Sequence, residues 1–418
     1  MMQHVRRLIP MRPWLAKGSL VALALVSLVA LSSVAISAYA HELTPHHEPL
    51  GPGWTIALGA QVKAPISYLS AAATLTSTDA WVGGQDFTDG APATLFEHWN
   101  GKRWSSVSSP SPGNEFDYIT AMSADHSNDV WAVGFYMSLN TNGNTSPLIE
   151  HWNGTRWSNV ASPIPSHGVQ TELNGVTALS ATDVWVIGSY LVSGVGLPIP
   201  FVEHWNGMHW SFAALPGIGS SYYLYAITGI SGSNVWVAGA QYPNDAAQPL
   251  IMHWNGLHWH IVPAANTGIG GRLFGITAIA STDIWAVGSE YPGSGFVSTT
   301  HPAQTLAEHW NGSTWRVIQT PTINSSEFTI FTGVAAKSSN VVWAIGYTTP
   351  SGESTGLPFI NEWNGTRWTT VSIPVGPSMT IGSRLSGISA TPQGGVWVAG
   401  FLTPLHEQNP KTLILRHL

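Results

Sequence analysis

Cysteine is missing from the 418-residue chain, which excludes disulfide staples, thiolate metal sites and cysteine nucleophiles. Charged residues are scarce, at 9% of the total. Only one long uncharged apolar run occurs, from Gly18 to Ala40. It follows Arg6, Arg7, Arg12 and Lys17 and ends Ala38-Tyr39-Ala40. A basic start, an apolar middle and small residues two apart form a cleavable secretory signal, with the cut expected after Ala40. The run is also about long enough to span a bilayer, so an uncleaved anchor is the alternative. Loss of residues 1–40 removes four of the 15 basic residues and no acidic one, taking the net charge from −7 to −11. That balance argues against nucleic acid and anionic membrane as partners.

What the chain has in quantity is turn formers and indoles: 43 Gly, 28 Pro and 21 Trp, with 44% hydrophobic residues. This content is enough to bury a core and excludes disorder. Frequent turn formers in an apolar chain point to many short strands.

Two motifs alternate along the sequence. One reads EHWNGKRW (97–104), EHWNGTRW (150–157), EHWNGMHW (203–210), MHWNGLHW (252–259), EHWNGSTW (308–315) and NEWNGTRW (361–368). The other is typified by TDVWVIG (182–188) and places Trp at 81, 131, 185, 236, 285, 343 and 397. Their spacing averages about 53 residues, the mark of stacked supersecondary units. Each unit reads as four strands, typified by LNGVTALS (173–180), DVWVIGSY (183–190), PLIEHW (147–152) and TRWSNVAS (155–162). Asn-Gly between the last two predicts a two-residue type I′ turn, with positive φ at both positions.

Seven such units make a seven-bladed β-propeller, all-β, with four strands per blade. The seventh unit ends in TLILRHL (412–418) and lacks a fourth strand, while GWTIALGA (53–60) reads as a fourth strand without its first three. The N-terminal strand is therefore expected to close the last blade and remove its edge. The domain reading is a signal over 1–40, a linker over 41–50 and the propeller over 51–418.

Over 51–418 the chain resembles kelch-type propellers. The pair Gly83-Gly84, the Val-Trp-Val-Ile-Gly second strand and the aromatic-turn-Trp hairpin parallel the kelch glycine doublet and its spaced Tyr and Trp. Most units here carry one Gly after the second strand, and Trp stands where kelch repeats have Tyr. The resemblance implies a fold like the galactose oxidase central domain, of the secreted bacterial type, and no single activity. Galactose oxidase chemistry needs a Cys-crosslinked Tyr, which this chain cannot form. WD40 repeats match less well, since the period is too long and no Gly-His to Trp-Asp pairing appears. Sialidase Asp-boxes share the Gly-x-x-Trp ending, but Trp here replaces their Asp.

Trp at equivalent positions of every blade reads as interblade core, with carbohydrate stacking as the alternative. His98, His151, His204, His253, His309 and His417, with Glu362 in the sixth unit, lie on separate blades and cannot converge on one ion. A two-residue turn would set them opposite residues 103, 156, 209, 258, 314 and 367, as a self-satisfying polar layer. His41, exposed by cleavage, offers a copper-chelating amino terminus with His46 and His47. HELTP (41–45) lacks the second His of a zinc-protease helix. NTNGNTS (140–146) lacks the carboxylates of a calcium loop. No cofactor or metal is expected.

Binding is expected on the face with long, variable connections such as MSLNTNGNTS (137–146) and EYPGSGFVSTTHPA (290–303). Near the start of each innermost strand an apolar anchor is read at Leu69, Phe116, Leu173, Leu224, Leu273, Phe331 and Leu385. Before it stand Tyr68, Glu115, Glu172, Tyr223, Arg272, Ile330 and Arg384. After it stand Ser70, Asp117, Asn174, Tyr225, Phe274, Thr332 and Ser386. Strand alternation sends both neighbours away from the anchor. Tyr68, Glu115, Asp117, Glu172, Asn174, Tyr223, Tyr225, Arg272, Phe274 and Arg384 are thus the candidate ligand residues at the channel mouth. The expectation is a secreted, monomeric, non-enzymatic propeller that binds a glycan or an extracellular protein. A polysaccharide-active glycosidase or lyase using Glu115, Asp117 and Glu172 as acid and base is the alternative. A purely structural wall or matrix scaffold is the third reading.

Overall fold

Strand 54–57, far from the C-terminus in sequence, pairs antiparallel with strand 411–417, Trp54 opposite His417 and Ala57 opposite Ile414. The computed structural model describes residues 53–417 apart from 58, 61–65, 88–91, 114, 139–142, 164, 166–167, 194–196, 244–245, 266–269, 292–301, 324, 350–355, 374–382, 392–394 and 404–408. The expected signal, the linker, His41 and much of the long connections lie outside these residues. Among the described residues 28 strands, β1 to β28 in chain order, form seven antiparallel sheets of four. The second blade, for example, runs β6 (Phe116–His126), β7 (Asp129–Met137), β8 (Thr145–Trp152) and β9 (Trp157–Asn159). The last runs β26 (Arg384–Ala390), β27 (Val396–Leu402), β28 (Lys411–His417) and then β1 (Trp54–Ala57). Innermost strands neighbour one another in order, and the last meets the first. The fold is a closed seven-bladed propeller whose N-terminal strand covers the edge of β28.

One irregularity repeats in all seven blades. The innermost strand pairs normally up to its buried anchor, then slips by one residue: Leu69 faces Gly84, yet Ala71 faces Gly83. The same slip follows Ile119, Leu173, Leu224, Leu273, Phe331 and Leu385. Each is a β-bulge, and its extra residue is the one just after the anchor. The carbonyl before the anchor then enters the space that a Cβ would fill on the second strand. That is the case at Gly84, Gly134, Gly188, Gly239, Gly288, Gly346 and Gly400. The glycine that ends each second-strand motif is therefore required by contact. In the second blade the anchor is Ile119, fully buried, rather than Phe116, which pairs three residues earlier with Met137. The expected second-blade alignment is corrected by three residues.

The core lies between blades. Trp81 contacts Trp152 and Trp157 of the next blade at 4.9 and 5.3 Å, and Trp285 meets Trp363 and Trp368 at 5.0 and 5.3 Å. Second-strand and fourth-strand Trp residues are buried throughout, as their repetition implies. In the last blade Arg416 takes the repeated His position, opposite Trp397, and His417 takes the Trp position. His417 is therefore not a member of the His series. It sits 5.1 Å from Trp54 and 5.3 Å from Trp343.

The Asn-Gly hairpins differ from the expected turn. Trp99 faces Trp104, leaving a four-residue loop, Asn100 to Arg103. Only the Gly has positive φ, between 88° and 93° in the six hairpins. The Asn100 side-chain oxygen instead accepts from the Lys102 and Arg103 amides, at 3.1 Å each. Asn serves as a turn cap here, a use of its short carbonyl side chain that needs no left-handed backbone. The His series consequently faces residues two further on: His98 opposite Ser105, His151 opposite Ser158, His253 opposite His260. Its polar partner comes from the neighbouring second strand. Nε2 of His98, His151, His204 and His309 lies 2.7–2.8 Å from Asp79, Asp129, Asp183 and Asp283, and His253 lies 2.9 Å from Asn234. Among the described residues no three His, Asp or Glu are placed to hold one metal.

Two outcomes follow from these contacts. Gly134→Ala is expected to cost several kcal/mol, because backbone rather than a flexible side chain must move. Gly217→Ala, with nothing near its Cβ position, is the control and should leave the melting temperature unchanged. Deleting residues 53–57 should expose the β28 edge and produce aggregation or a melting temperature lowered by about 10 °C or more. An unchanged thermal scan would remove β1 from the ring.

Candidate functional site

The entry ends of the innermost strands surround the channel mouth, on the face of the long connections. At the bulge position, four blades use a short polar side chain to fasten the next blade. Ser70 donates to the Ile119 carbonyl, and Thr120 to that of Leu173 at 2.7 Å. Asn174 donates to Leu224 at 3.0 Å and Thr332 to Leu385 at 3.2 Å. Blades 4 and 5 carry Tyr225 and Phe274 there instead, with ring centroids 5.1 Å apart. Among the described residues no such side-chain bond is seen to the Leu273 or Phe331 carbonyl, nor to that of Leu69, where blade 7 nevertheless keeps a short donor, Ser386.

Aromatic and cationic groups gather at this break. Tyr223 runs parallel to Tyr225 at 6.1 Å and meets Tyr242 edge-on at 5.4 Å. The guanidinium carbon of Arg272 lies 5.6 Å from the Tyr242 ring centre and 5.4 Å from that of Tyr291. Contacts of this kind contribute roughly 0.5–2 kcal/mol each. The Arg272 Nε is buried and has no hydrogen-bond partner. Burial works against its charge, but the hydroxyls of Tyr291, Tyr242, Tyr225 and Tyr223 outweigh it and hold the pKa above its ordinary value. Burial also raises the Tyr225 pKa, with Tyr242 adding to the effect. The Tyr242 hydroxyl itself makes no well-formed hydrogen bond. Two blades on, Arg384 lies 5.0 Å from the Tyr347 ring, its Nε likewise buried and unpaired.

Of the residues expected from sequence, Tyr223, Tyr225, Arg272 and Phe274 come together. Arg384 stands further round the mouth, and Tyr68 packs edge-on against Phe87 and Phe401 at 5.9 and 4.8 Å. Asn174 is an interblade fastener. Glu115 and Asp117 are displaced by the second-blade correction, which puts Tyr118 and Thr120 beside the anchor. Asp117 is only 1% exposed and accepts from the Gly113 amide at 2.8 Å. Burial pushes its pKa up to about 6. Glu172 is raised by burial, with the Thr145 hydroxyl opposing. No contact joins Asp117 or Glu115 to Glu172 among the described residues. Tyr242, Tyr291 and Tyr347 were not expected. Their signal is a Tyr one or three residues past the second-strand glycine.

No protein-family model matches the chain, and no curated protein does. Solved structures with a similar fold include YCF48 bound to D1 peptide, with TM-score 0.50 and 13% identity over 88% of this chain and 97% of that one. A GH74 enzyme from Niastella koreensis aligns with TM-score 0.51 and 12% identity, over 85% of this chain and 55% of that one. The GH74 xyloglucanase from Xanthomonas campestris gives 0.50 and 12%, over 84% and 53%. The chain thus spans about half the length of the two GH74 proteins. At these identities the likeness shows the seven-bladed propeller fold alone.

Strongly shifted pKa values mark a second group of candidates. The Glu of the EHW motif is fully buried at 97, 150, 203 and 308. Burial raises Glu97 and Glu308 to about 7 and Glu150 and Glu203 to about 8. Each faces the connection leaving the preceding blade. Glu97 accepts from the Ala60 amide at 2.6 Å, Glu308 from Ala265 at 2.9 Å, and Glu203 from the Ser162 hydroxyl at 3.0 Å. These carboxylates lie in four separate gaps and cannot share one substrate, although Asp117 lies near enough to Glu150 to add to its shift. They read as fasteners whose burial favours the protonated form against donors that favour the charged one.

Stability should therefore depend on pH. Unfolded Glu releases its proton near pH 4.5, whereas these four keep theirs to about 7–8. Between those limits the native state binds more protons, so stability falls as pH rises. Buried neutral His253 and His417 act oppositely, but only below about pH 6.5. From pH 6.5 to 8.5 the melting temperature is expected to drop by several degrees. Glu150→Gln should flatten this slope and melt higher than wild type at pH 8.5. A melting temperature that rises over the interval contradicts the assignment.

Proposed function

We propose that this chain is a secreted, non-enzymatic propeller, kelch-like in its repeat, that binds a glycan or an extracellular protein at the channel mouth on its long-loop face. The observation that carries this reading is the local break in the interblade ring. Blades 4 and 5 lack, among the described residues, a hydrogen bond that four other blades make, and they carry in its place Tyr225 and Phe274 beside Arg272, whose buried Nε has no partner. A scaffold gains nothing from that exchange. A binder gains the aromatic and Arg anchors that dominate recognition surfaces. Proteins of this fold bind peptide in the case of YCF48 and include xyloglucanase in the GH74 case, so the fold itself is compatible with either ligand class.

Secretion is supported by the basic, apolar and small-residue pattern of residues 1–40. The glycosidase or lyase alternative requires carboxylates facing a common cavity. Burial of Asp117 and the separate surroundings of Glu172 favour binding over catalysis.

Substitution by the residue of the intact blades separates binding from folding. Tyr225→Thr and Phe274→Thr copy Thr120 and Thr332, and each offers the next blade's anchor carbonyl the side-chain donor that those residues supply elsewhere. The melting temperature is expected to stay level or rise by a few degrees. Capture of hits from a screen of immobilised polysaccharides and extracellular proteins should fall at least tenfold. A large loss of stability with capture unchanged would assign the rings to the core and end this reading.

A further inference from the structure

We infer that the ligand of this mouth is an acidic saccharide whose uronate carboxylate docks on Arg272; this rests on the binding reading above. Three chemical demands meet at the break. The first is the guanidinium. Tyr242 and Tyr291 lie against it at 5.6 and 5.4 Å, its Nε is buried without a partner, and no carboxylate of the chain contacts it among the described residues. Contact with ring faces leaves the in-plane Nε–H unsatisfied, and a carboxylate answers the planar fork of a guanidinium with two parallel hydrogen bonds. Arg384, held 5.0 Å from Tyr347 with its own Nε unpaired, repeats the arrangement two blades away.

The second demand comes from the carbonyls of Leu273 and Phe331. In the blades that follow Ser70, Thr120, Asn174 and Thr332 the equivalent carbonyl receives a side-chain O–H or N–H. Here that donor is replaced by an aromatic ring, and no side-chain donor among the described residues takes its place, which leaves the position open to a hydroxyl of the ligand. The third demand is a flat apolar face for Tyr225 and Phe274, which sit half-buried at the mouth. A sugar acid supplies a carboxylate, several hydroxyl donors and a C–H face within one ring. An acidic peptide supplies the carboxylate and amide donors, but it lacks a rigid C–H face matched to the ring pair. The saccharide is therefore the better complement.

Calorimetric titration of the full chain with oligogalacturonate and oligoglucuronate tests the assignment. The comparison probes are their methyl esters and a Glu- and Asp-rich peptide. One of the free acids is expected to bind, with its methyl ester at least tenfold weaker. Arg272→Gln and Arg272→Lys should each lose at least tenfold, since Lys restores charge without the fork. Should the Arg272 variants fail to fold, the acid-against-ester comparison on the wild type decides alone. Equal binding of acid and ester overturns the carboxylate assignment and leaves the binding reading intact. Capture of the peptide through Arg272, with no saccharide bound, overturns the saccharide class. Binding of none of these probes overturns the inference.

Discussion

The bulge after each buried anchor governs both the inside and the joints of this ring. By adding one residue to the innermost strand it drives a carbonyl against the second strand, where only glycine leaves room. It also turns the extra residue out of the ladder and toward the next blade. Ser70, Thr120, Asn174 and Thr332 use that direction to bond the neighbouring anchor carbonyl. Without the bulge there is no interblade donor, and without the glycine there is no bulge. Two features separated along the sequence thus depend on one backbone distortion.

Further out, the same joints are made with different chemistry. A second-strand Trp enters the angle between two Trp of the next hairpin, and its own blade's His stacks on it, as His98 does on Trp81 at 4.3 Å. An Asp then fixes the His, and Asp129 and Asp183 also accept from the indole N–H at 2.9 and 2.8 Å. The last blade keeps the shape with other residues. Arg416 lies 5.3 Å from Trp99 and 4.9 Å from Trp397, and His417 fills the place of a Trp. Shape is conserved across the ring more strictly than charge.

This layering explains what could be read from the sequence. Blade number, strand order and closure were legible because repeats superpose and because strand 54–57 complements a missing fourth strand. The hairpin was misread because Asn-Gly admits two solutions, a left-handed pair or an Asn cap, and only side-chain geometry separates them. The second-blade anchor was misplaced because Phe116 and Ile119 are both apolar, while the deciding contact, Ile119 against Gly134, is made across the sheet. The buried Glu series passed unnoticed because its fasteners, such as Ala60 and Ser162, lie about 40 residues away in the preceding connection. The site was half legible. Arg272 and Tyr223 stood out by type, but Tyr242 and Tyr291 come from the ends of second strands and join them only in space.

A ring of near-identical parts makes its own exceptions informative. Blade 4 has Asn234 where blades 1, 2, 3 and 5 have Asp, Met252 where the same four have Glu, His260 where blades 1 to 3 have Ser, and Tyr225 where every blade but the fifth has a short polar side chain. The first three keep their places in the structural layers: His253 still bonds Asn234, and Met252 stays fully buried. Tyr225 and Phe274 differ, because their exchange removes a bond and restores none among the described residues. Substitutions that keep a joint need no cause beyond packing. Substitutions that open one, next to a cation with no counter-charge among the described residues, depart from the pattern of the four fastened blades, and such departures are where function separates from folding.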